Sequence, residues 1–197
     1  LSSAMIDELC CVAALAPLAA VDLRCQFSSV LIATDASLDA MAGVEAAVPW
    51  HVCQELCRTS MNKGRWSKLL SAEAAWRKQH DLLECDEEVE DPYTTHPLWE
   101  LCARGLHFKE VWRSHVSQSQ HINLLEAKAH LREERRCAVE RPFRRVPFAL
   151  DSQVCLGALT KGRSSSPGIN RLLKASLPYP LGGGIYAAYM YFSSKIN

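Results

Sequence analysis

The period of the apolar positions changes several times along the chain, and each change predicts an element. Met5, Leu9, Val12 and Leu15 recur at helical spacing, so residues 4–15 are expected to form a helix that Pro17 stops or kinks. Val30, Leu31, Ile32 and Ala33 make a short β-type run ending in Thr34-Asp35-Ala36-Ser37, and after a turn at 38–40 residues 41–48 read as a second strand. Helical patterns cover 51–58 and 67–79. The acidic run at 85–91 reads as a solvated loop that continues, rich in Pro and Thr, through Pro97. Residues 106–112 are expected to be a third strand. A helix opens at Ile122 and runs toward Cys137, and the apolar run 146–150 ends at Asp151. Helices at 152–159 and 169–176 flank a flexible, basic, hydroxyl-rich loop at 161–168. After the Gly182–Gly184 break, 185–192 reads as a final strand; no internal repeat is visible.

Strands alternating with helices predict an α/β domain, a mixed sheet covered by helices with its sites at strand ends. A chain of 197 residues fits one ordinary domain with an attached helical segment. Hydrophobic residues at 48% and charged residues at 22% fit a globular protein with a real core. Lys+Arg and Asp+Glu both count 22, a net charge of zero, which argues against a strongly basic nucleic-acid module. Any nucleic-acid contact is therefore expected from local basic patches. The nine cysteines lack metal-type spacing, and reduced thiols of an intracellular protein are the expectation, with disulfides or a zinc site as the alternatives. The apolar stretch 10–21 is shorter than the roughly 20 residues of a membrane span. It has Asp7 and Glu8 ahead of it where a signal peptide is basic, so a buried helix is expected, with no targeting signal and no membrane partner.

Three acidic residues fall at telling places: Asp35 after a strand, Glu126 in the first turn of a long helix, Asp151 after another strand. Each has a purely structural alternative. Asp35 suits a turn or cap, Glu126 complements a helix dipole, and Asp151 suits the N-cap of a helix starting at Ser152. Together they suit phosphodiester hydrolysis, in which charge grows on phosphorus and hydroxide is needed near neutral pH. Two divalent ions about 3.5–4 Å apart meet both needs, and Mg²⁺ prefers carboxylate oxygens.

The strings ATDAS (33–37), HINLLEAKA (121–129), LDSQVCLGALTKGRSSS (150–166) and YFSSKIN (191–197) occur in that order. They resemble the RNase H-like domain downstream of the reverse transcriptase in DIRS-like (tyrosine-recombinase-type) retrotransposons. The resemblance spans about residues 15–48 and 106–197. It implies an RNase H-like mixed five-stranded sheet flanked by helices, over residues 25–197. Residues 1–24 would be a helical lead-in from the reverse transcriptase side, and 49–105 a divergent, helical insert. It further implies a ribonuclease H-type endonuclease that cuts the RNA strand of RNA/DNA hybrids by two-metal catalysis. Asp35, Glu126 and Asp151 would be the catalytic, metal-ligating acids, with Mg²⁺ or Mn²⁺ as the cofactor. The family pattern closes on N-P-A-D, whose aspartate would lie three residues after Asn197, so activity of the chain as it stands is expected to be impaired. The prolines of Leu177-Pro178-Tyr179-Pro180 stand where the family continues a helix; at about 3 kcal/mol for a proline in a helix interior, they read as drift.

On the substrate side, Ser37, Asn123, Ser152, Lys161, Arg163 and Ser164 are the expected contacts to nucleic acid. The Lys161–Ser164 stretch would grip phosphates through charge and hydroxyl donors, with a plain solvated loop as the alternative. Asn123 also suits a helix cap, and His121 a helix-start residue. The five tryptophans are expected to be packing residues. The expected partners are an RNA/DNA hybrid or other nucleic acid, and the reverse transcriptase region of the same polyprotein. Two other readings fit the same residues: a non-catalytic RNase H-like scaffold or nucleic-acid-binding module, and the product of a degenerate element.

Overall fold

Among the described residues six strands share one mixed sheet: β1 (Gln26–Phe27), β2 (Val30–Ala36), β3 (Ala40–Ala47), β4 (Lys109–His115), β5 (Arg144–Leu150) and β6 (Ile185–Tyr191). The helices are α1 (Ser3–Leu15), α2 (Trp50–Arg58), α3 (Pro97–Gly105), α4 (Ile122–Glu140), α5 (Gln153–Lys161), α6 (Pro167–Ser176) and α7 (Pro178–Gly183). This computed structural model describes residues 2–18, 20–61, 96–117 and 120–193. The helix expected at 67–79, the acidic run 85–91, Trp66, Trp76 and Asn197 lie outside the described residues.

The sheet runs β6-β5-β2-β3-β4, with β1 beside the start of β5. β2, β3 and β4 form an antiparallel meander, while β5 runs parallel to both β2 and β6. A three-residue turn joins β2 to β3 and the 48–108 segment joins β3 to β4, whereas the parallel pairs require the crossovers that α4 and α5–α7 supply. Central β5 is buried without interruption from Val146 to Leu150, the apolar run expected of a strand covered on both faces. Its ladder to β1 and β2 is broken between Arg145 and Phe148, opposite Ser28–Ser29, and Pro147, which has no donor, sits in that gap.

Alternation along the strands divides the core in two. On one face Leu31, Ala149, Met190 and Phe192 pack with Val48, Cys53, Leu56, Trp99 and Cys102, so α2 and α3 cover that side. On the other, Ile32, Val146, Phe148, Leu150 and Ile185 pack with Ala127, Cys137, Cys155 and Leu156 of α4 and α5. The described parts of 49–105 thus contribute core residues. α4 sits close against β3 because residue 43 is glycine: a Cβ there would overlap the Trp112 indole and the Glu133 carboxylate.

Several expectations are corrected. The apolar stretch 10–21 is not buried: Val12 and Leu15 of α1, Leu18 of the 3₁₀ turn (Ala16–Leu18) and Val21 beyond it are exposed. Its apolar composition has no facing element among the described residues to pack on. The loop expected to run through Pro97 ends earlier, because Pro97 opens α3; its fixed φ suits the first helical position, and the His96 side chain accepts the Leu98 N–H at 3.2 Å. The third strand lies three residues further along than 106–112, at Lys109–His115. Trp50 is exposed rather than packed. The prolines at 178 and 180 fall in the first turn of a new helix, α7, where the backbone N–H groups lack helical acceptors anyway, so the interior-proline cost does not apply. Gly184 then ends α7 at φ +61, in the left-handed region that glycine enters without strain.

Candidate metal centre

Parallel pairing of β2 and β5 is what brings two of the acids together. Ala33 faces Ala149 in the ladder, so two residues further along both strands Asp35 comes beside Asp151 at the C-terminal ends. Neighbouring strands lie about 4.8 Å apart, which fixes the scale of that approach. Asp35 is the penultimate residue of β2 and exposed, and Asp151 directly follows β5 and is half-buried. Glu126 comes from above the sheet, in the first turns of α4, and is buried at 4% exposure. One carboxylate oxygen from each of the three lies within 4.8 Å of the other two, an arrangement that could hold a metal ion.

Little in the protein neutralises this cluster. The Ala36 N–H donates to Glu126 Oε1 at 3.3 Å. Glu126 Oε2 and Asp151 Oδ1 are buried with no hydrogen-bond partner. Among the described residues, no Lys, Arg or His forms an ion pair with any of the three. Burial, together with the Asp151 and Asp35 charges, pushes the Glu126 carboxyl up to about 8. Burial and then Asp35 raise Asp151 as well. Desolvated like charges without a counter-ion are costly, and a divalent cation bound by hard oxygens removes that cost.

The helix starts beside the acids differ in detail from expectation. Ser152, not Asp151, caps α5, its Oγ accepting the Cys155 N–H at 3.3 Å, which leaves the Asp151 carboxylate free of that duty. His121, not Asn123, caps α4 through Nδ1, which accepts the Asn123 N–H at 3.2 Å. Asn123 is instead in the first turn, and its carbonyl accepts from Cys155 Sγ at 3.1 Å. Ser37 builds the β2–β3 turn, its Oγ accepting the Ala40 N–H at 3.0 Å. Asn123 and Ser152 therefore stand at the helix starts that carry Glu126 and follow Asp151.

Lys161, Arg163 and Ser164 do not join them. They sit at or past the far end of α5, which at 1.5 Å per residue is about 12 Å from its start. The 161–168 segment is tied down rather than loose: Asn170 Oδ1 accepts the Ser164 N–H at 2.7 Å, and Asn170 Nδ2 donates to the Ser164 carbonyl at 2.6 Å. Ser166 then caps α6.

A second polar group went unnoticed in the sequence. The buried stripe of α4 includes His130, Glu133 and Glu134 beside Leu125, Ala129 and Cys137. The available signal was polar residues standing at i+4, i+7 and i+8 from Glu126, where the helix faces the sheet. Glu133 accepts from the Trp112 indole and from Arg136, whose guanidinium also reaches Glu45 at 3.3 Å and Glu140 at 2.9 Å. Arg141 pairs with Glu45 in turn. This network fastens α4 to β3 and β4, and so fixes the helix that holds Glu126.

The eight cysteines among the described residues are all free thiols. Among the described residues no helix is long and apolar enough to cross a membrane. No protein-family model, curated protein or solved structure matches this chain.

Proposed function

We propose that this chain is a metal-dependent nuclease domain of the RNase H type, hydrolysing the RNA strand of RNA/DNA hybrids. The observation that carries the reading is the convergence of Asp35, Glu126 and Asp151 at the C-terminal ends of two parallel strands. The sheet supports it: a mixed sheet flanked by helices is the arrangement the retrotransposon resemblance implies.

The donor set is all carboxylate oxygen, with buried oxygens on Glu126 and Asp151 awaiting a partner, which fits Mg²⁺ or Mn²⁺. Asp35, Glu126 and Asp151 would hold the metal, which when bound supplies Lewis-acid stabilisation for charge developing on a phosphodiester. Asp35 and Asp151, on adjacent rigid strands, fix the ligand spacing. Glu126, once ionised, would complete the ligand set and orient the attacking water. Asn123 and Ser152 flank the acids and are the nearest of the expected substrate contacts. Lys161 and Arg163, about a helix length away, would meet the duplex backbone beyond the cut site. The nucleic-acid partner and the reverse transcriptase region of a common polyprotein belong to the same reading.

The test is incubation of a strand-labelled RNA/DNA hybrid with the chain in Mg²⁺ or Mn²⁺, alongside a form carrying Pro-Ala-Asp after Asn197, which matches the family's closing motif. RNA-strand cleavage in at least one form, abolished by Asp35→Asn, is the expected result. A folded chain that binds the metal yet leaves the hybrid intact in both forms contradicts the hydrolase reading and favours a nucleic-acid-binding module.

A further inference from the structure

We propose that Cys155 is a positioning residue for this centre, its thiol setting the separation of Glu126 and Asp151 by donating to the Asn123 carbonyl. The inference rests on the metal reading of the three carboxylates.

Three pairwise spacings define the cluster, and the structure supplies a separate device for each. The parallel register of β2 and β5 sets Asp35 against Asp151. The Ala36 N–H, 3.3 Å from Glu126 Oε1, ties Glu126 to the strand that carries Asp35. The remaining spacing, Glu126 to Asp151, depends on how the start of α4 sits against the start of α5. Cys155 lies in the first turn of α5, four residues after Asp151, and Asn123 lies three residues before Glu126. The 3.1 Å contact from Cys155 Sγ to the Asn123 carbonyl joins those two turns directly. A carbonyl has two lone pairs, so this one can receive the thiol as well as its own helix's N–H.

The clasp is shielded from water, since Cys155 is fully buried and burial pushes its thiol up to about 11, keeping the S–H donor in place. Glu126 is also buried, yet its Oε2 has no partner of its own. The position of that oxygen relative to Asp151 is therefore inherited from the packing of α4 on α5. Contacts made directly to a ligand typically change metal affinity by about 10–100-fold when removed, and this clasp, one step further out, is expected at the low end of that range.

Cys155 also packs among Ile32, Val146 and Leu156, and a pure packing role makes the opposite forecast for two substitutions. Cys155→Ser keeps a donor in a similar volume, and Cys155→Val keeps apolar bulk without a donor. Mn²⁺ affinity of the full 197-residue chain, read at pH 8 from the spectrum of unbound Mn²⁺, separates them, with metal-free melting curves recorded in parallel. Positioning predicts that Ser stays within about twofold of the parent while Val binds about tenfold more weakly. Cys155→Ala, which also lacks the donor, is expected to weaken binding as Val does and serves if Val fails to melt cooperatively. Parent-like affinity in the donor-less variants, or equal loss in Ser and Val, overturns the inference. A folded parent that takes up no Mn²⁺ instead sinks the metal reading, and this inference with it.

Discussion

Metal-free protein is expected to lose stability as the pH rises from about 4.5 to about 8, and Glu126→Gln is expected to abolish most of that loss. Glu126 carries a pKa near 8 in the fold against 4.5 for the ordinary side chain, because burial and then the Asp151 and Asp35 charges oppose its ionisation. A carboxyl raised in this way favours the folded state while protonated. Its contribution is fully present below about 4.5 and is lost as the pH climbs through about 8. Asp151, also raised, acts in the same direction. Each pKa unit corresponds to about 1.4 kcal/mol, so the loss reaches a few kcal/mol by pH 8. Glutamine cannot ionise, and its carbonyl can still accept the Ala36 N–H. Urea denaturation at pH 5 and pH 8 checks this. The parent midpoint should fall between the two, and the variant should match the parent at pH 5 and exceed it at pH 8. Parallel behaviour of the two proteins would show that Glu126 does not titrate in this range. Because metal binding requires the deprotonated carboxylate, added Mn²⁺ should restore the parent at pH 8 and leave the variant unmoved.

Arg136→Met is expected to destabilise the fold by about 3–5 kcal/mol, far more than loss of an ordinary surface ion pair. Glu133 is completely buried and depends on Arg136, with guanidinium bonds of 2.8 and 3.0 Å, and on the Trp112 indole. Arg136 also reaches Glu45, which keeps Arg141, so its removal strands the Glu133 carboxylate, left with only the Trp112 indole and unable to regain water. Arg24, whose pair with Asp22 lies at the surface, provides the control; Arg24→Met should leave the denaturation midpoint nearly unchanged. Adding Glu133→Gln to Arg136→Met should recover a substantial part of the loss, since a neutral amide tolerates burial better. Chemical denaturation of the four proteins measures the differences. A cost near that of the Arg24 variant would mean that the network is solvated and does not secure α4.

Much of the fold was legible where one short run carries both the pattern and its punctuation. The runs into Asp35 and Asp151, the helix opening at Ile122 and the strand after Gly184 all appear within a residue or two of expectation. Cap chemistry was less readable: His121, His96 and Ser152 each close a helix start, and the choice among adjacent polar residues depends on backbone angles, not residue type. The exposure of α1 was invisible because apolar spacing says that a face wants a partner and not whether one is present. The candidate site was readable as three acids in order, but its closeness was not. It depends on a parallel pairing between residues more than a hundred positions apart, and on a helix whose buried stripe is part ionic. Lys161 and Arg163 were read as phosphate grips from their charge, and the length of α5 separates them from the acids.

The most direct test of the account is calorimetric titration of the metal-free chain with Mn²⁺ at pH 8, beside Asp151→Asn. The account predicts saturable binding with net proton release, weakened at least about tenfold in the variant. Absence of saturable binding in the folded parent, or binding indifferent to Asp151→Asn, would contradict the assignment of Asp35, Glu126 and Asp151 as one metal centre.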